Sequence, residues 1–135
     1  MKTRICMAAA IVLFVFAIGS AASDDPVPDI SEIMTKGHKP GGFKDKINAE
    51  LKKGTPDWSA VQEQAKDFAK LADALGKNKP PKGSADSWKK QCEAYAKIVT
   101  SLDTAAQKKS KTDCTSAMGK LNQSCNTCHK AHKGS

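Results

Sequence analysis

Downstream of residue 55 the apolar side chains recur every three or four positions, the mark of helices that bury one face. Trp58, Val61, Ala65, Phe68, Leu71 and Leu75 form the first such stripe. Thr55 is placed to cap it, Pro56 suits its first turn, and Gly76 suits a left-handed residue just past its end. A Lys/Pro/Gly stretch at 77–83 reads as a loop. Trp88, Cys92, Tyr95, Val99, Leu102 and Ala106 then alternate at four and three, which is the seam of a bundle helix. A last helix starts near Ser110 or Thr112 and carries Cys114, Met118, Leu121, Cys125 and Cys128 on one stripe. The short connection at 108–111 makes these two helices antiparallel neighbours. Toward the N-terminus, Ile30, Ile33, Met34 and His38 share a face. Lys39-Pro40-Gly41-Gly42 interrupts it, and Phe43, Ile47 and Leu51 resume it, as one broken helix or two short ones in line. No period-two run of β-branched residues appears, so the pattern predicts an all-α, up-down-up-down four-helix bundle.

The first residues belong to a different class. Lys2 and Arg4 precede an apolar run at 8–18, and Ser20-Ala21-Ala22 supplies small residues before a cleavage point. This is the pattern of a secretory signal peptide over residues 1–22, with an apolar core too short to span a bilayer. The domain is then 23–135, exported to the periplasm and free of the membrane after cleavage. A chain of 135 residues leaves room for one domain and excludes the large α/β enzyme folds.

Charge and composition narrow the partners. Lys and Arg number 22 against 14 Asp and Glu, a net charge of +8. Yet Arg4 is the only arginine and leaves with the signal peptide. A surface basic through lysine alone argues against nucleic acid, whose recognition leans on the guanidinium fork, and for an acidic protein partner. Aromatic residues are 5% of the chain. So few rings leave the core to aliphatic packing or to a group that is not protein. Of five cysteines, Cys6 lies ahead of the apolar run and is removed, leaving Cys92, Cys114, Cys125 and Cys128.

Cys125-Asn126-Thr127-Cys128-His129 is a CxxCH sequence, the attachment signature of c-type haem. On a helix the three side chains share one face. Two thiols can there form thioethers to one porphyrin edge while the imidazole reaches the iron. A zinc knuckle would need a second ligand pair that the chain lacks. A thioredoxin-like pair would sit after a strand. A disulfide between adjacent turns of a continuous helix meets poor geometry. The motif therefore assigns one covalent haem c, with Cys125 and Cys128 as thioether donors and His129 as proximal iron ligand.

A signal peptide, four helices, Trp88 at the start of the third helix and a CxxCH near the C-terminus together resemble the cytochrome c prime family, the class II c-type cytochromes. The resemblance spans essentially all of 23–135, and its specific part is Cys125, Cys128 and His129. It implies haem at one end of the bundle. It also implies a sixth iron position that is either open to small gases or filled from the first helix, often by methionine. Dimerisation through the first two helices is common in the family, so a homodimer is a possible state.

In such a bundle the first helix starts beside the end of the last. Met34 and His38, one turn apart, are thus the candidate sixth ligands, with Met34 ahead because of the methionine-ligated branch of the family. For Met34 the plain alternative is core packing, and for His38 a solvated place at a helix end. His132, three residues past His129, reads as a surface residue. Cys92 lies 18 residues before Ser110 and Cys114 four after it, so their heights differ by about 21 Å and no disulfide should join them. The same spacing sets Cys92 opposite Cys128.

These readings converge on a non-enzymatic electron carrier with Met34 as sixth ligand. The competing reading is a five-coordinate protein that binds nitric oxide or carbon monoxide. A peroxidase is disfavoured, since only His38 could serve as a distal acid–base group and no distal arginine exists.

Overall fold

A computed structural model describes residues 26–134; the signal-peptide segment and Cys6 lie outside the described residues. The described chain holds α1 (Ile30–His38), α2 (Phe43–Lys52), α3 (Trp58–Leu75), α4 (Ala85–Gln107) and α5 (Lys111–His132), and no strand. It is an all-helical bundle of four packed helical segments, with α1 and α2 sharing the place of the first helix. None of these helices is long and apolar enough to cross a membrane.

The break between α1 and α2 follows from Pro40 and two glycines. Gly41 has φ +79°, a left-handed conformation that favours glycine. Gly42 is packed so closely that a Cβ would lie 2.6 Å from the Lys36 carbonyl oxygen. Asp29 caps α1 by accepting from the Glu32 amide at 2.7 Å, and Ser84 and Ser110 cap α4 and α5 in the same way. At α3 the cap is Asp57, not Thr55, and Trp58, not Pro56, opens the helix. The Asp57 carboxylate accepts from the Ala60 amide while its own amide donates to Glu50, and an anion suits the positive end of a helix better than a hydroxyl. Gly76 is right-handed (φ −66°, ψ −15°). The helix winds out through tight turns, Lys77 N to Ala74 O and Asn78 N to Leu75 O, so a left-handed residue is unnecessary there.

The stripes read from the sequence are the core. Val61, Ala65, Phe68 and Leu75 of α3, Trp88, Cys92, Tyr95, Val99, Leu102 and Ala106 of α4, and Cys114, Met118 and Leu121 of α5 are all buried. Ile33 of α1 and Ile47 and Leu51 of α2 complete it. The broadest contacts are α3 with α4 and α4 with α5. Both short helices pack on α3, and α2 also reaches α5. By contrast, α1 and α5 do not pack on each other. At that end of the bundle the helices are held apart.

Candidate functional site

Between α1 and α5 lies a cavity of about 470 Å³, within the usual size range of ligand sites. Its α5 wall is made by Ser124, Cys125, Cys128, His129 and His132, and its α1 wall by Ile30, Met34 and His38. Leu75, Trp88 and Tyr95 close the inner side. The five residues singled out as haem-attaching or iron-ligating groups thus border a single space. Cys125 and Cys128 are half-buried free thiols, and His129 is exposed on the same turn. Cys125 Sγ donates to the Leu121 carbonyl at 3.3 Å. Burial, with the Cys125 thiol beside it, pushes the Cys128 thiol above its usual range, so it stays in the S–H form. The described residues include no cluster of three or more His, Cys, Asp or Glu suited to a bare metal ion.

The rim has one sign. Lys39, Lys44 and Lys133 line the cavity, and among the described residues no Asp or Glu does. An apolar hollow with a cationic edge accepts a group with an apolar body and anionic ends. A haem, a flat hydrophobic macrocycle with two carboxylates, has that chemistry, and the two thiols and the imidazole supply the donors that covalent haem requires.

His38 is not the solvated residue that its helix-end position suggests. Its Nε2 lies 2.9 Å from the Tyr95 hydroxyl, and its ring stands edge-on to Phe68 at 5.5 Å. Burial, then the charges of Lys44 and His129, push its pKa down to about 4. The ring is therefore neutral near pH 7. Tyr95, raised by burial, keeps its proton as well. Either tautomer of the imidazole leaves Nδ1 buried with no protein partner. Met34 is half-buried and packs against the core while facing the same cavity. Its thioether lies on the α1 wall, and His38 already spends one nitrogen on Tyr95.

A pH effect follows from His38. Unfolding restores its ordinary value of 6.5, so the unfolded chain binds the extra proton between pH 6.5 and about 4. The stabilisation of the haem-free chain is complete above 6.5 and is lost as pH falls toward 4, where it levels off. The full shift corresponds to roughly 3 kcal/mol, reduced to about 1–2 kcal/mol by partial exposure. Urea titrations at pH 7 and pH 4 should show this loss in the parent and a smaller one in His38→Asn. Equal losses in both proteins would discard the assignment.

His132 corrects the sequence reading outright. It is 2% exposed, with Nδ1 2.9 Å from the Lys82 carbonyl oxygen and Nε2 3.0 Å from Ser87 Oγ. Its place three residues past His129 read as surface; the α3–α4 loop folding over the end of α5 buries it. Cys92 and Cys114 are buried and unpaired, as their spacing required. Cys92 is pushed up to about 11 by burial and by the nearby Cys128 thiol, in line with the expected register. No protein-family model matches this chain, and no curated protein or solved structure does either.

Proposed function

We propose that the chain is an exported mono-haem c-type cytochrome of the four-helix class that carries electrons. The observation that carries the reading is the cavity between α1 and α5, bordered by Cys125, Cys128 and His129 on one side and by Met34 and His38 on the other. Cys125 and Cys128 would each add a thiol S–H across a vinyl group of the porphyrin edge. His129 would bind the iron through a ring nitrogen, with Met34 as the sixth ligand. Bound there, a haem supplies a one-electron iron couple. His38 stays neutral and holds the Tyr95 hydroxyl instead of the iron. Leu75 and Trp88 keep water from the inner face. Lys39, Lys44 and Lys133 would pair with the carboxylates of the bound group and give the mouth a cationic rim that fits an acidic redox partner.

The test is an absorption spectrum of the chain matured in a host that attaches haem, oxidised and reduced, with and without carbon monoxide. The expected parent is six-coordinate and low-spin, and ignores carbon monoxide. Met34→Ala should turn high-spin and bind the gas at once. A high-spin parent that binds carbon monoxide immediately would replace the carrier reading by the gas-binding one. In the carrier, reduction by an acidic donor protein slows as salt is raised from low ionic strength, because charges farther apart than about 10 Å are screened at 0.1 M.

A further inference from the structure

The C-terminal turn of α5 carries both His129 and His132, and helix ends fray unless something holds them. Here the holder is His132. Its Nδ1–H donates to the Lys82 carbonyl oxygen at 2.9 Å, since a carbonyl only accepts. Nε2 is paired with the Ser87 hydroxyl at 3.0 Å, a group that can both donate and accept. The ring also stands edge-on to Trp88, with centroids 5.3 Å apart. Gly83 is shaped to this contact. It has φ +82°, and a Cβ on it would fall 2.9 Å from both His132 Nδ1 and the Ala131 carbonyl oxygen.

The chain of contacts continues around the cavity. The Trp88 indole N–H donates to the Asn78 carbonyl at 2.7 Å, and the Asn78 side-chain amide donates to the Pro28 carbonyl at 3.1 Å, just ahead of α1. Hydrogen bonds, with the Trp88–His132 ring contact, therefore join the segment leading into α1, the α3–α4 loop, the start of α4 and the end of α5.

We propose that His132 is a positioning residue for His129: by bonding Lys82 and Ser87 it locks the last turn of α5, and with it the direction in which the proximal imidazole is presented to the iron. The proposal rests on the haem reading above, but the lock itself belongs to the protein. Groups that orient a metal ligand act on the metal through that ligand. The neighbouring Lys133 amide, which donates to the His129 carbonyl at 3.0 Å, closes the same turn and is released when the turn frays.

The experiment has two readouts on His132→Ala, Gly83→Ala and His132→Gln. In the haem-free full chain, amide hydrogen exchange at 128–132 should speed roughly tenfold in the first two variants, because two side-chain hydrogen bonds are lost or displaced. It should stay near the parent rate in His132→Gln, whose amide can donate and accept. In the matured protein, the electron paramagnetic resonance signal of the oxidised iron should split into more than one species in the first two and return to one in His132→Gln. Leu102→Ala, buried far along α4, serves as a control that lowers stability without moving that signal. Unchanged exchange in His132→Ala overturns the lock. Faster exchange with a single, parent-like iron signal overturns the positioning role and leaves the haem reading intact. A parent without covalent haem defeats the haem reading and the positioning role together.

Discussion

Replacing Cys125 and Cys128 together by alanine is expected to abolish covalent haem, leaving none on the chain after denaturation. On the proposed reading the effect is all-or-none, because these two thiols are the only donors the motif offers and each would form one bond to the porphyrin edge. Either single variant should keep one thioether and retain haem through denaturation. The third and fourth thiols do not substitute: Cys92 is buried inside α4, and Cys114 is buried near the start of α5, far from the cavity in sequence and register. The double variant should still fold, since both side chains are only half-buried and lose one weak bond between them. Haem staining of denaturing gels and intact mass, read beside far-ultraviolet circular dichroism, make the measurement. Covalent haem surviving in a folded double variant would refute the attachment.

Phe68→Ala should produce the largest loss of stability of any single substitution considered, about 3–5 kcal/mol. Phe68 is wholly buried in α3, where its ring supports α1. A Cβ on Gly37 would meet it at 3.0 Å; the two helices touch backbone to ring. His38 stands on its edge at 5.5 Å, and Phe43 stacks on it at 5.8 Å. Removing the ring opens a cavity beneath both short helices at once, in a protein whose whole stability should fall in the ordinary range of about 5–15 kcal/mol. Chemical denaturation of the haem-free chain would measure it, with Phe68→Leu losing much less. A loss below about 1 kcal/mol would show that α1 is held by something other than this ring.

The three long helices were legible because each repeats an apolar residue every three or four positions for several turns, and burial of that stripe leaves little choice. That Cys125, Cys128 and His129 share one face was legible from their i, i+3, i+4 spacing, and the structure sets all three on the wall of one cavity. Short-range details were less so. Thr55 and Asp57 both satisfy the rule for a cap, and the anionic charge of Asp57, with the Glu50 carboxylate seven residues back that accepts from its amide, favours Asp57. His132 was beyond reach of pattern, because its burial depends on a loop 50 residues earlier in the chain. His38 was half legible. Its face and its end of the bundle could be read, but not the Tyr95 hydroxyl that engages it across 57 positions.

The scarcity of aromatic residues has a practical side. The described chain holds two tryptophans, and they stand at different distances from the cavity. Trp88 lines it, together with Leu75 at the far end of α3. Trp58 opens that same helix of 18 residues, which sets it roughly 25 Å along the axis from Leu75. Light emitted by Trp88 reports on whatever fills the cavity, whereas Trp58 looks mainly at the opposite end of the bundle. Exchanging either one for phenylalanine therefore separates filling of the site from folding of the scaffold in a single fluorescence record.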